Sequence, residues 1–167
     1  EGPDGGSPVP LAPFLDKLEA LQKSVNIGSF IGQGSVREAV LGTVNRRPTP
    51  AELDRMRSHV EDAMKAGAFG MSTGLFYVPG AFTPIEEVIE LAKVAGRFGG
   101  IHISHMRDEA FGVLDSVRET VRIGEEGGLP TQVTPHTIIG RPNWGKSVET
   151  PQAVDDARAP GVHVTIA

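Results

Sequence analysis

The sequence contains no cysteine. That absence removes disulfides, thiolate metal ligands and a cysteine nucleophile from these 167 residues. Basic charge is also short. Sixteen Lys and Arg stand against 21 Asp and Glu, a formal net charge of −5. That is the wrong sign for a nucleic-acid or anionic-membrane surface, so neither partner is expected. Apolar runs reach only a few residues, too short to span a bilayer, and no signal-peptide core is visible. A cytoplasmic protein is the expectation, with an upstream leader before Glu1 left open.

Glycine (21) and proline (13) are plentiful, which predicts many tight turns on a folded frame. The chain opens at Glu1 without an initiator Met and closes at Ala167 inside an apolar run. We therefore expect the central segment of a longer domain, residues 1–167, with 1–10 as a Gly/Pro/Ser-rich loop.

Between these ends, helix and strand signals alternate. Leu11, Phe14, Leu18 and Leu21 mark a first helix over residues 11–23, and residues 25–31 a short apolar segment. Thr49-Pro50-x-Glu52 is a capping box opening a helix whose stripe is Leu53, Met56, Val60 and Met64. Thr83-Pro84-x-Glu86 reads as a second box, and Thr150-Pro151 as a later helix start. Strands are expected from about residues 25, 68, 101, 130 and 162, the later ones recurring every ~30 residues, which is one βαβ unit. The result is an α/β fold with about five parallel strands, either doubly wound or closed as a barrel. In such sheets chemistry sits at the carboxyl ends of the strands and the loops after them.

His105 ends the stretch Ile101-His102-Ile103-Ser104-His105 and opens the polar run Met106-Arg107-Asp108-Glu109. Strand alternation puts Ile101, Ile103 and His105 on one face and His102 on the other. Ile101, Ile103 and Val133 are expected on the inner face, and His163 towards the helices. His136 stands at the next strand end, so His105 and His136 form a candidate pair of metal ligands. Two local patterns are decoys. Gly70-Met71-Ser72-Thr73-Gly74 fits the letters of a hydrolase nucleophile elbow, but a loop rather than a helix follows it. Gly140 to Ser147 fits a phosphate-binding loop, yet Pro142 lacks the N–H such a cradle needs.

Gly67 to Leu75, then Tyr77, Pro79-Gly80 and His105-x-Arg107-Asp108-Glu109, closely resemble the N-acyl-D-amino-acid deacylase (D-aminoacylase) family of the amidohydrolase superfamily. Gly32 to Arg37 and Asn143 to Ser147 are similar to that family too. The resemblance implies a metal-dependent hydrolase on a (β/α)₈ barrel, using Zn²⁺ to cleave the amide of an N-acyl-D-amino acid. It implies His105 as a zinc ligand; at the same rim Ser72 and Arg107 are candidates for the substrate side, and Tyr77 either faces substrate or simply packs. Arg107 either binds a substrate carboxylate or holds Asp108 or Glu109. The family's paired histidines, bridging cysteine and catalytic aspartate fall outside this chain, which implies that the segment is inactive alone. Where the family reads Ser/Thr-His-His-Lys, this chain has Thr134-Pro135-His136-Thr137, and Ala167 replaces an aspartate. Either His136 takes over the ligand role or the site is lost; a non-catalytic remnant is the alternative.

Overall fold

The computed structural model describes residues 4–167. Residues 1–3 of the expected loop lie outside the described residues. Helix α1 (Ala12–Glu19) is shorter than the hydrophobic spacing suggests. A two-residue strand, β1 (Ile31–Gly32), runs directly into α2 (Gln33–Leu41). Helix α2 has no signal in the sequence, because two glycines and a serine near its start resemble a turn.

Helix α3 (Pro50–Lys65) begins with the expected capping box, Thr49 Oγ1 accepting from Glu52 N and Glu52 accepting from Thr49 N. Then come β2 (Gly70–Gly74), α4 (Ile85–Arg97), β3 (Ile101–His105), α5 (Val113–Gly127), β4 (Thr131–Val133), α6 (Glu149–Arg158) and β5 (Val164–Ile166). Two expected caps do not form. Pro84 and Val148 occupy the positions before α4 and α6, without side-chain caps. Thr150 lies inside α6 and donates back to Lys146 O at 3.3 Å.

The five strands are parallel and lie in the order β1-β2-β3-β4-β5. Sequential order decides between the two architectures left open. A doubly wound sheet reverses its strand order, whereas five successive neighbours with right-handed crossovers put every helix on one side. The sheet is therefore of the barrel type.

Register assigns the faces. Met71 pairs with His102, Ser104 with Val133, and Val133 with Ile166. Met71 packs with Met56, Val60 and Leu91 of the helices, and Val133 and Val164 with Val117 and Val154. These strand residues face the helices. Ser72, Ile103, His105, Gln132 and Thr165 face the opposite, inner side. Val133 thus sits under α5 and α6, not on the inner face as expected; the sequence contains its alternation but not its register. His163 is exposed and precedes the strand, and Val164 takes the helix-facing place.

A buried ion pair ties the first helices together. Arg37 Nη1 donates to Glu87 Oε2 at 2.5 Å, and Arg37 Nη2 donates to Val44 O and Arg46 O. Burial pushes the Glu87 carboxyl up, and the Arg37 guanidinium opposes that shift.

Candidate active site

His105 is the last residue of β3 and points inward at the carboxyl rim, as alternation requires. It is 8% exposed. Its Nδ1 lies 2.7 Å from Asp4 Oδ1, a carboxylate oxygen that accepts. That nitrogen therefore carries a proton, and in the neutral ring Nε2 keeps the lone pair. Glu109 Oε1 is 3.6 Å from Nε2. The Thr137 hydroxyl donates to Glu109, and Ile139 N donates to Glu109 O at 2.8 Å.

Two aromatic rings of the β2–α4 loop wall this imidazole. Tyr77 meets it edge-on with centroids 4.8 Å apart, and Phe76 is tilted at 5.8 Å. The amino-terminal loop reaches the site because the strand ends are bare. A Cβ on Gly74 would lie 2.0 Å from Asp4 O, and one on Gly32 2.3 Å from Gly5 O. Only glycine admits the crossing. A cleft of about 140 Å³ between the amino-terminal loop, α2 and the β2–α4 loop is lined by Asp4, Ser35, Glu38, Gly74, Tyr77 and Pro79, among others, and reaches the His105 neighbourhood only through Asp4 and Tyr77. A larger cavity, about 430 Å³, lies at the amino ends of β3–β5, the wrong end of a parallel sheet for catalysis.

The remaining candidates fall apart from this cluster. Ser72 is on the inner face but wholly buried, and its Oγ has no hydrogen-bond partner, and so no activating base, among the described residues. The Thr150 hydroxyl donates to Lys146 O and so accepts from His136 Nε2 at 2.6 Å. With Nε2 so engaged, the lone pair of the neutral His136 ring stands on Nδ1. Arg107 holds neither Asp108 nor Glu109. Its Nε and Nη2 form a fork on Glu119, and Nη1 and Nη2 also reach Ala81 O and Thr83 O. The residues of the phosphate-loop pattern form two 3₁₀ turns, in which Lys146 donates to Phe111 O and sits over its ring.

His102, three residues before His105, is fully buried on the helix side. Thr73 donates to Ser104 Oγ and so accepts from His102 Nε2 at 2.9 Å, while Thr131 donates to His102 Nδ1 at 2.7 Å. Burial pushes this imidazole down to about 3, so it is neutral.

Sequence reasoning missed Asp4, which is 101 residues from His105 in a loop with no local signal. It treated Glu109 only as part of a polar run. As a metal site the arrangement is incomplete. Zinc takes four ligands, and no group of three or more His, Asp or Glu side chains able to hold an ion occurs among the described residues. His105 Nε2 and Glu109 supply two donors at most. These residues do not by themselves fit a metal ion.

Strand order and the alternation of strand and helix define a sheet of the (β/α)-barrel type, with His105 inward at its carboxyl rim. No family model matches the chain. The D-aminoacylase of Alcaligenes xylosoxydans xylosoxydans is 39% identical over 148 residues, covering 89% of this chain and 31% of that protein. The solved N-acyl-D-glutamate deacylase of Bordetella bronchiseptica, complexed with zinc and a phosphonate inhibitor, superposes with TM-score 0.88 at 37% identity. That match covers 95% of this chain and 33% of the other. A D-aminoacylase crystal structure described as defining a novel subset of amidohydrolases gives the same TM-score at 34% identity, over 93% and 32%. The chain belongs to the D-aminoacylase (N-acyl-D-amino-acid deacylase) family. It spans about a third of the length of the curated relatives it matches.

Proposed function

We propose that the protein carrying this chain hydrolyses the amide bond of N-acyl-D-amino acids, with zinc as its cofactor. The observation that carries the reading is His105, inward at the rim of β3 with Tyr77 at 4.8 Å, inside the segment shared with D-aminoacylase. Residues 1–167 form the central part of the barrel domain in this reading, and ligands beyond His105 come from elsewhere in the protein.

Each residue here has a role that needs no metal geometry. Asp4 fixes the His105 tautomer and leaves Nε2 as the free base. Phe76 and Tyr77 give the substrate an apolar wall and exclude water on one side of the imidazole. The test is hydrolysis of N-acetyl-D- against N-acetyl-L-amino acids by the full-length protein, with zinc content measured alongside. D-selective hydrolysis abolished by His105→Ala is expected. A zinc-free, inactive full-length protein overturns the proposal.

One observation favours a second reading, a non-catalytic relative. Pro135 and Thr137 stand where the family carries histidine and lysine, and His136 Nε2 is taken up by the Thr150 hydroxyl at 2.6 Å. Full-length Pro135→His with Thr137→Lys separates the two. Zinc and activity appearing only in that double variant support the remnant; activity already present in the unaltered protein excludes it.

A further inference from the structure

Arg107 follows His105 by two residues and belongs to a polar run at the rim, which makes it look like a ligand for a substrate carboxylate. Its hydrogen bonds say otherwise. A guanidinium has five N–H donors. The fork on Glu119 uses Nε at 2.9 Å and Nη2 at 2.8 Å. Nη2 also donates to Thr83 O at 2.9 Å, and Nη1 to Ala81 O at 3.1 Å. One N–H at most is left for anything else. The side chain is about one-third exposed and its Glu119 partner less so, and bidentate pairs of this kind hold geometry as well as charge.

The two carbonyls are the informative partners. Both belong to the end of the β2–α4 loop, the loop that carries Phe76 and Tyr77. Ala81 N donates to Tyr77 O at 2.7 Å, so the residue whose carbonyl Arg107 grips is itself hydrogen-bonded to the tyrosine backbone. Thr83 is held from the far side as well, where Gln33 Nε2 donates to its Oγ1 at 3.0 Å in a buried contact. The loop end is thus pinned between α2 and α5, with Arg107 as the link to α5.

We infer that Arg107 is a positioning residue, a strut from Glu119 to Ala81 and Thr83 that fixes Tyr77 against the His105 ring, and not an anchor for substrate carboxylates. Its bearing on catalysis rests on the hydrolase reading above; its bearing on the ring geometry does not.

Tyr77 is the only tyrosine in the chain, so 3-fluorotyrosine places a single ¹⁹F reporter beside His105. The 167-residue chain should give one resonance displaced from that of free fluorotyrosine. Arg107→Ala should move it towards the free value, Glu119→Gln should move it the same way but less, and Arg107→Lys should restore part of the shift. Far-UV circular dichroism and Trp144 fluorescence, which report the helices and the β4–α6 loop, should stay unchanged. Where Arg107→Ala loses its helical signal, Glu119→Gln decides. An unmoved resonance in a folded variant, even with a lower melting temperature, overturns the inference and makes Arg107 merely structural. A tenfold or greater rise in KM with kcat intact, again with the resonance unmoved, also overturns it and makes Arg107 a carboxylate anchor. Inactive full-length protein removes the hydrolase reading and leaves the ¹⁹F outcome standing.

Discussion

On the helix-facing side of β3, His102 is sealed. Both ring nitrogens are bonded to threonine hydroxyls of neighbouring strands, and water is excluded. On the inner side, three residues on, His105 meets a carboxylate on one nitrogen and has no hydrogen bond on the other among the described residues, with Glu109 at 3.6 Å. The same side chain is a packing element in one place and, in the function proposed above, a chemical one in the other. Residue type therefore says little by itself. Alternation and the end of the strand carry the information, because only the inner rim combines reach with exposure.

The largest expected effect tests the sealed side with acid. His102 in the fold is pushed down to about 3, against an ordinary imidazole value near 6.5. Between those values the unfolded chain binds a proton that the folded chain refuses, so stability falls as pH drops from 6.5 towards 3. The upper bound is on the order of 5 kcal/mol. Urea unfolding at stepped pH should show the decline already between 6.5 and 5, where most carboxylates remain ionised. His102→Gln should flatten that limb, and His105→Gln should not. Equal slopes in both variants would break the contrast between the two histidines.

Next in size is packing. Met71 is wholly buried under the helices, and Met71→Ala should cost about 2–5 kcal/mol in denaturant unfolding, from lost transfer energy and the cavity left behind. Thr73→Val is smaller, about 1–3 kcal/mol. It keeps the volume but strands His102 Nε2 and Ser104 Oγ, both buried, without their partner. A Thr73→Val loss larger than that of Met71→Ala would mean that the hydroxyl chain, rather than packing, holds this side of the sheet.

The βα rhythm was legible because it is local. The Thr49–Glu52 box spans four residues, and the His105 face follows from counting along five. What escaped is non-local. Asp4 reaches His105 across 101 residues, and the face of Val133 depends on its register with Ser104. The sequence places Arg107 at the rim but leaves it between two roles. Its actual partner, Glu119, sits 12 residues on inside a helix, where a charged residue looks like any solvated one. Pro84 and Val148 show the opposite failure, in which good local capping letters lose to the path the chain takes between strand and helix.

The smallest expected effect lies at the inner amino end of β3. Ile101 is 39% exposed and borders the cavity at the amino ends of the strands, so its side chain has little protein to lose contact with. Ile101→Thr keeps a β-branched side chain, which suits the strand backbone, and changes only an apolar surface that is already wet. Denaturant unfolding should therefore shift by no more than about 0.5 kcal/mol. Set against Met71→Ala on the neighbouring strand, this gives the cleanest measure of how unequal the two faces are. A loss above about 1.5 kcal/mol, the scale of burying such a side chain, would show that something covers the inner face at this end. The same measurement in the full-length protein then tells whether that cover is intramolecular. A loss confined to the longer protein places further chain over Ile101, and one seen only in the 167-residue chain at high concentration points to a second copy.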